Sequence, residues 1–336
     1  MEVYVMSVMT RERRLDSSQL SFAATVPRVK VHREAVCEVF LTDSAQVGPD
    51  SFVVGAQLPR VHSFYSDFLL APRNYDPLLL AEVCRQSSIL LAHEYFGVPL
   101  DQKFVLNHSD LRVIDRAGLR VGDTPGTSVV EVTVTDRKLR GTETVGYTAT
   151  MHVDLDGRSV VALDITIQWM PGSAWNKLRE RGRAQLTVSP GQTVRAPRAA
   201  DPSVVGRLDP ANVVIGTPCA DASGFTADVV VDQSHAALFD HPLDHIPGVL
   251  LQEACRQLAV AAAHDHFGFA PQRLAVETCH VAFSRFGEFE LPTTCRAEVP
   301  VLSAGDDALR TRLTVSQDGV PIAAADIGLA LVRGAW

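Results

Sequence analysis

Several features that mark common protein classes are missing from this chain of 336 residues. It has no excess of basic residues, because its net charge is −8 at pH 7, and this argues against a general nucleic-acid-binding surface. No apolar stretch long enough to span a membrane is free of charged residues. The first 14 residues contain no uninterrupted apolar run, so we expect no signal peptide and a cytoplasmic location.

Paired cysteines are also missing, since none of the six cysteines forms a C-x-x-C motif. In a cytoplasmic protein we therefore expect reduced thiols and no disulfide framework. Cys84 and Cys255 each lie two positions after a glutamate. On a helix two positions correspond to about 200°, so each thiol points away from that carboxylate. We interpret both cysteines as packing residues rather than nucleophiles.

What the sequence does contain is one five-residue phrase that occurs twice. EVCRQ occupies 82–86, and EACRQ occupies 253–257, which is 171 positions later. Downstream, AHEYFG at 92–97 matches AHDHFG at 263–268 with the same offset. Because similarity at a fixed offset is typical of internal duplication, we predict a duplicated domain.

Each copy predicts the same order of elements: two strands, one long apolar helix and then several antiparallel strands. The helices are predicted at 76–96 and 247–267, where proline stands at the start and glycine follows the end. The preceding strands are predicted at Val36–Leu41, Phe52–Leu58, Asn212–Ile215 and Ala227–Val231. This order indicates an α+β fold in which a curved antiparallel sheet wraps around each helix and the two sheets continue into one another.

The division of the chain follows from the repeat. We predict a flexible leader at 1–30, one unit at 31–172, a basic proline-rich linker at 173–205 and a second unit at 206–336. Between residues 177 and 198 the only acidic residue is Glu180, and the basic residues are Lys177, Arg179, Arg181, Arg183, Arg195 and Arg198. The linker is either a solvated connector around a short helix or a docking strip for an acidic partner. Arg179, Arg181 and Arg183 form the best cluster for docking.

Within each predicted helix, the Glu, Arg and Gln of the phrase lie at i, i+3 and i+4 and therefore share one face. A carboxylate on the inner face of an apolar helix must be paired or it becomes neutral. One interpretation is a structural Glu–Arg pair that holds the two units in register. The other is a general base oriented by an arginine that also attracts an anionic group.

The second copy has an additional feature at its helix start. Pro247-Gly248 leaves the first helical N–H groups free, where the helix dipole adds partial positive charge. A thioester carbonyl lodged there would find an oxyanion hole, with Glu253 five residues further along the helix. His241 and His245, in the loop before the helix, could bind a metal with neighbouring aspartates. No distant ligand cluster completes such a site, so we expect no metal and no cofactor.

The spacing Pro-Gly-Val-Leu-x-x-Glu-Ala-x-x-Gln, at 247–257, resembles the helix start of the hotdog-fold 3-hydroxyacyl-acyl carrier protein dehydratases. In those enzymes the Glu of the phrase acts with a His of a preceding His-x-Pro loop. The nearest match here is His241-Pro242, without the residue between.

Over roughly residues 31–334 the chain resembles more closely the A-factor biosynthesis (AfsA-type) hotdog proteins of γ-butyrolactone-type signal synthesis. They share the tandem arrangement, the Glu-x-x-Arg-Gln phrase in both halves and an Asn-His-Ser in the first half, here Asn107-His108-Ser109. The resemblance implies a double hotdog fold and transfer of a 3-oxoacyl group from acyl carrier protein to dihydroxyacetone phosphate. The ester would then cyclise to a precursor of a butenolide or furan signalling molecule.

The resemblance also implies functional residues. Glu82, Glu253 and Arg256 are the implied catalytic residues, and the expected substrate-binding residues are Arg85, Gln86, Gln257, Gly248 and His241. Two other functions remain open: a hotdog thioesterase or dehydratase, which needs no phosphate-binding arginine, and a non-catalytic acyl-ligand-binding protein. A homo-oligomer is compatible with each of them, and we expect no nucleic-acid or membrane partner.

Overall fold

The computed structural model describes residues 15–68, 73–184, 186, 194, 197–302 and 308–332. Within these ranges the chain forms three α-helices: α1 (Pro77–Tyr95), α2 (Gly172–Arg183) and α3 (Gly248–Phe267). α1 and α3 confirm the two long helices predicted from the repeat, to within one residue at each end. No helix of the described part is long and apolar enough to cross a membrane.

The described strands fall into a first-half and a second-half set. The first-half strands are β1 (Leu41–Gly48), β2 (Ser51–Leu58), β3 (Lys103–Val113), β4 (Gly126–Arg140), β5 (Glu143–Leu155) and β6 (Arg158–Met170). The second-half strands are β7 (Cys219–Asp221), β8 (Gly224–Asp228), β9 (Leu274–Phe283), β10 (Thr293–Ala297), β11 (Val301–Leu302), β12 (Ala308–Gln317) and β13 (Val320–Leu331).

All these strands join one antiparallel sheet. Its order is β1-β2-β4-β5-β6-β3-β9-β13-β12-β10-β8-β7, and β11 pairs with β12 at the side. The halves meet where β3 pairs with β9, from His108 opposite Ala282 to Arg112 opposite Thr278. The expectation that one sheet continues into the next is therefore confirmed. The strand that makes the junction, β3, is not among the predicted strands.

Local sequence explains where the two long helices begin and end. Asp76 caps α1, because its side chain accepts a hydrogen bond from the Leu78 N–H, and Pro77 occupies the first helical position. α3 ends at Gly268, which has φ +71° and whose N–H donates to the His264 carbonyl. α1 packs against β1, β3 and β6, whereas α3 packs against β8, β9, β10, β12 and β13. Each helix is therefore buried by strands of its own half.

Two predicted strands are wrong, and they occupy equivalent places. Val36–Glu38 and Pro210–Asn212 form 3₁₀ turns where strands are predicted at Val36–Leu41 and Asn212–Ile215. In the first copy the side chain of Gln86 bonds the Phe40 N–H at 3.1 Å and the Glu38 carbonyl at 2.8 Å. These backbone groups are satisfied by a helix side chain, so they need no neighbouring strand.

The flexible leader predicted at 1–30 is corrected for its described part, and residues 1–14 lie outside the described residues. Residues 28–31 form a 3₁₀ turn, and the Val26 N–H donates to the Leu41 carbonyl at 3.0 Å. The Leu15 N–H donates to Glu131 at 3.2 Å. The segment therefore packs along the edge of the sheet.

The linker prediction is corrected at α2. The predicted short helix is present, but Trp175 and Arg179 are buried. Arg179 bonds both carboxylate oxygens of Glu288 at 2.6 and 2.7 Å, and Arg183 bonds Glu288 and Glu290. Acidic residues distant in sequence thus neutralise two of the three arginines proposed for docking. Of these three arginines only Arg181 is exposed. Arg195 lies outside the described residues.

Candidate active site

The first copy of the repeated phrase forms a buried ionic cluster around Glu82. Its carboxylate accepts hydrogen bonds from Arg33 at 2.5 Å and from Gln86 at 2.8 Å. Arg85, one turn along the helix, donates through Nε and Nη2 at 2.7 and 2.8 Å. Two guanidinium groups therefore hold one carboxylate, in the bidentate geometry that favours arginine over lysine.

The second copy builds the same cluster around Glu253, which is fully buried. Its Oε1 accepts from Arg207 Nη2 at 2.6 Å and from Gln257 Nε2 at 2.5 Å. Arg256 Nη2 lies 2.5 Å from the other carboxylate oxygen. Arg256 also reaches into the first half, where its Nη1 donates to Asp76 at 2.6 Å. The phrase therefore links the two halves in the second copy.

Both glutamates are ionised in this environment. Burial alone would raise the pKa of Glu82, but the guanidinium groups of Arg33 and Arg85 outweigh it and place the pKa well below its usual value. Burial would likewise raise the pKa of Glu253, but the charges of Arg207 and Arg256 outweigh burial, so this pKa is also lowered. A carboxylate with a lowered pKa is a weak proton acceptor at neutral pH. The cluster is thus better suited to holding arginines in place than to removing a proton.

The substrate-binding role of Gln86 and Gln257 stays a prediction, and their hydrogen bonds give both amides a structural role. Gln86 is fully buried, and its amide bonds Glu82 and the two backbone groups of the preceding turn. Gln257 does the same, with Val214 N–H at 2.9 Å and the Asn212 carbonyl at 2.7 Å. These amides position the cluster, and both N–H groups of each are used within it.

The two arginines of the phrase differ in one respect. Arg256 has a second carboxylate partner, Asp76, at the start of α1. The position equivalent to Asp76 at the start of α3 is Pro247, 171 residues later, whose side chain can accept no hydrogen bond. Arg85 uses Nε and Nη2 for Glu82, and within the described residues its Nη1 has no acceptor. The Arg85 side chain is 27% exposed, against 5% for Arg256.

The surroundings of Arg256 leave little room for a ligand. A cavity lined by Arg256, Asp76, Arg116, Asn74 and mostly apolar neighbours has a volume of about 40 Å³. Since one water needs at least about 10–15 Å³ by the same measure, this holds a few waters and no acyl chain. Among the described residues, this cavity is therefore too small for an acyl chain.

The start of α3 is open as predicted. Pro247 offers no side-chain cap, and among the described residues the N–H groups of Gly248 and Val249 have no hydrogen-bond acceptor. A Cβ at position 248 would come within 3.0 Å of the Phe283 ring, so glycine allows the helix start to pack closely on β9. Free N–H groups at a helix start favour a negatively charged oxygen.

His241 lies in the loop before α3, beside the first-copy cluster. Its neighbour Asp240 accepts hydrogen bonds from the backbone N–H groups of Glu34 and Ala35, at 2.7 and 2.8 Å. This contact holds the loop next to Arg33. Burial lowers the pKa of His241, and the nearby charges of Arg33 and Arg85 lower it further. Its ring is therefore neutral and close to Arg85.

Other sequence candidates lie apart from this cluster. Cys84 and Cys255 are fully buried, and burial raises the pKa of the Cys84 thiol. For Cys255 the neighbouring Cys295 and burial both raise the pKa. His108 of the Asn-His-Ser segment lies at the β3–β9 junction, 3.2 Å from His280. In the described ranges, no three His, Cys, Asp or Glu side chains are placed to hold a metal.

Sequence reasoning missed Arg33 and Arg207, although both contact the repeated glutamates. The signal was available, because Val31-His32-Arg33 and Val205-Gly206-Arg207 share the pattern Val-x-Arg at an offset of 174. Both segments also end a 3₁₀ turn in the left-handed region, at His32 and Gly206. Extending the repeat upstream of the strands would have found them.

Comparison with known proteins agrees with this architecture. The family model of the A-factor biosynthesis hotdog domain matches residues 15–171 and 189–333. A protein of Streptomyces virginiae named 2-oxo-3-(phosphooxy)propyl 3-oxoalkanoate synthase is 32% identical over 316 residues, covering 93% of this chain and 99% of that protein. A Streptomyces coelicolor protein with the same name is 31% identical over 300 residues, covering 88% and 89%.

Among solved structures, a Lactobacillus plantarum protein named as an oleoyl thioesterase superposes with a TM-score of 0.51. The match covers 86% of this chain and all of that one at 11% identity, so it bears on the fold alone. The duplicated phrase, the single antiparallel sheet and the family match over both halves lead to one conclusion: the chain belongs to the A-factor biosynthesis hotdog family.

Proposed function

We propose that this protein is an acyltransferase that moves a 3-oxoacyl group from acyl carrier protein to the hydroxyl of dihydroxyacetone phosphate. The name of its relatives describes the product of that transfer, since a 2-oxo-3-(phosphooxy)propyl group is what dihydroxyacetone phosphate becomes once its hydroxyl is acylated. The ester is a suitable precursor of a butenolide or furan signalling molecule. The reaction needs a donor set for the thioester oxygen, an anion site for the phosphate and a group that accepts the hydroxyl proton.

The observation that carries the proposal is the difference between Arg85 and Arg256. Asp76 accepts a hydrogen bond from Arg256 Nη1, whereas Pro247 stands at the equivalent position and, within the described residues, Arg85 Nη1 has no acceptor. We assign Arg85 to the phosphate, which a guanidinium binds well. Glu82 and Arg33 hold Arg85 in place, and we assign the free N–H groups at Gly248 to the thioester oxygen. His241 would contact the substrate from the loop before α3.

The second copy has a different role in this proposal. Glu253 and Arg256, which the sequence predicts as catalytic, would hold the halves in register through Asp76 and Arg207. Their catalytic role stays a prediction that mutation can test. We further propose that residues 31–172 and 206–336 are two hotdog units, each with its own central helix, and that one active site forms where they meet.

The direct test is to incubate the purified protein with a synthetic 3-oxoacyl thioester, with and without dihydroxyacetone phosphate. We expect thiol release to depend on dihydroxyacetone phosphate and the phosphorylated ester to appear by mass spectrometry. A 3-hydroxyacyl thioester of the same chain length is the matched control, and we expect no enoyl product from it.

Three results would contradict the proposal. Thiol release at the same rate without the acceptor would indicate a thioesterase. Formation of an enoyl thioester would indicate a dehydratase. Tight binding of the thioester without turnover of either substrate would indicate a non-catalytic acyl-ligand-binding protein.

A further inference from the structure

The backbone of His32 adopts a conformation that residues other than glycine rarely adopt. His32 has φ +53° and ψ +53°, in the left-handed region, and it directly precedes Arg33 of the first-copy cluster. The equivalent residue of the second copy is Gly206, with φ +73° and ψ +23°. Glycine takes this conformation without steric cost, whereas histidine does not. Strain of this kind is concentrated at functional sites, so an imidazole at a glycine position calls for a reason.

The hydrogen bonds of the neighbouring ring fix the tautomer of His32. His93 Nδ1 lies 2.8 Å from the Val98 carbonyl, and because a carbonyl only accepts, Nδ1 must carry the proton. In a neutral ring His93 Nε2 is then an acceptor. His32 Nε2, 3.0 Å away, must donate to it. A neutral His32 therefore has an unprotonated Nδ1, for which the described residues supply no hydrogen-bond partner.

The second copy has the contact between histidine and carbonyl but lacks the second histidine. His264, equivalent to His93, bonds the Phe269 carbonyl through Nδ1 at 2.9 Å. No imidazole faces its Nε2 there, because Gly206 has no side chain. The contact between histidine and carbonyl is thus a structural feature of both helix ends. A second ring, that of His32, is present only in the half that contains Arg85.

Cationic and neutral groups surround His32. His93 and Arg85 of α1, Lys103 of β3 and His241 of the loop before α3 lie close enough to affect its charge. Burial, the largest cause, and these neighbours together lower the pKa of His32 to about 4. The ring is therefore neutral at pH 7, and a phosphate bound at Arg85 would offset these cations and raise the pKa of the ring in the substrate complex. It lies next to Arg85, to which we assign the phosphate.

We propose that Nδ1 of His32 is the general base of the acyl transfer. This inference rests on the proposed function. Nδ1 takes the proton of the dihydroxyacetone phosphate hydroxyl as its oxygen bonds to the thioester carbon. The tetrahedral intermediate collapses, the C–S bond breaks, and the leaving thiolate takes the proton back from Nδ1. The acyl group moves from sulfur to oxygen and one proton moves from oxygen to sulfur, so no further reactant is needed.

His32→Gly tests this role without threatening the fold, because it installs the residue that the second copy has at this place. General base catalysis contributes about 10²- to 10⁴-fold. We expect kcat to fall by about that factor, with a melting temperature close to that of the wild type. Free imidazole added to the assay should restore part of the lost rate. His264→Ala, which removes the ring that corresponds to His93 in the other half, should leave kcat unchanged.

The pH profile gives a second measurement. A base must be unprotonated, so the rate falls as pH drops through the pKa of the base. With the pKa of His32 lowered to about 4, kcat/KM should not fall between about pH 8 and pH 6, where an ordinary histidine titrates.

The outcomes separate the two proposals. A wild-type protein that forms no ester from the thioester and dihydroxyacetone phosphate would overturn the proposed function itself. An active wild type whose His32→Gly variant keeps full kcat would overturn only the role of His32. A loss of rate that imidazole does not restore, accompanied by a lower melting temperature, would also overturn it, since it would indicate a structural role.

Discussion

Replacing Arg85 with glutamine should raise the KM for dihydroxyacetone phosphate by about 10- to 100-fold while leaving the fold intact. The reason is that a hydrogen bond to a charged group contributes about 1.5–3 kcal/mol, and each 1.4 kcal/mol corresponds to about tenfold in affinity. Glu82 would keep Arg33 and Gln86 as partners. Because the Arg85 side chain is 27% exposed, its loss leaves no large buried void. Steady-state kinetics with dihydroxyacetone phosphate as the varied substrate measure the effect.

Two further variants sharpen the experiment on Arg85. Arg85→Lys keeps the charge but loses the planar guanidinium, so we expect an intermediate KM. Arg137→Gln is the matched control, because Arg137 is an exposed arginine that pairs with Asp50 at the surface. An unchanged KM for dihydroxyacetone phosphate in Arg85→Gln would contradict our assignment of the phosphate.

Glu253→Gln should lower stability rather than act mainly on chemistry. The variant would leave Arg207, whose side chain is 0% exposed, without its carboxylate partner. Breaking a buried ion pair by removing one partner costs about 3–5 kcal/mol. For a chain of this size that corresponds to a decrease in melting temperature of roughly 4–7 °C. Thermal unfolding followed by circular dichroism measures the change.

Glu82→Gln is the matched variant for Glu253→Gln. We expect a smaller loss of stability there, because Arg85 can turn towards water, and a larger loss of activity, because Arg85 would no longer be held in place. The opposite pattern would contradict this division of roles. If Glu253→Gln keeps its melting temperature and loses turnover, Glu253 is the base that the sequence predicts.

The repeat allowed much of the fold to be predicted from the sequence. Helix starts and ends carry local signals, such as Asp76-Pro77 and Gly268, which act on neighbouring backbone groups. The 3₁₀ turn at Val36–Glu38 carries no such signal, whereas the one at Pro210–Asn212 begins at Asp209-Pro210 in the same way as α1. In each copy the backbone there is satisfied by a glutamine side chain that lies 46 or 43 positions further along the chain. An apolar run in that place looks like a strand in the sequence.

The candidate site was predictable in part for the same reason. The phrase identifies Glu82, Arg85 and Glu253, and Pro247-Gly248 predicts the free start of α3. The sequence does not show that Asp76 reaches Arg256, because that contact joins residues 180 positions apart. This one contact gives Arg256 a second carboxylate partner, which Arg85 lacks among the described residues. Local patterns therefore locate both clusters but do not tell which of them can take a substrate.

Our central claim is that the two copies of the phrase form only one open anion site. Calorimetric titration of dihydroxyacetone phosphate into the purified protein counts such sites directly. We predict one molecule bound per chain, and binding that is weakened about 10- to 100-fold in Arg85→Gln. Two molecules per chain, or one molecule whose affinity is unaffected by Arg85→Gln, would contradict the claim.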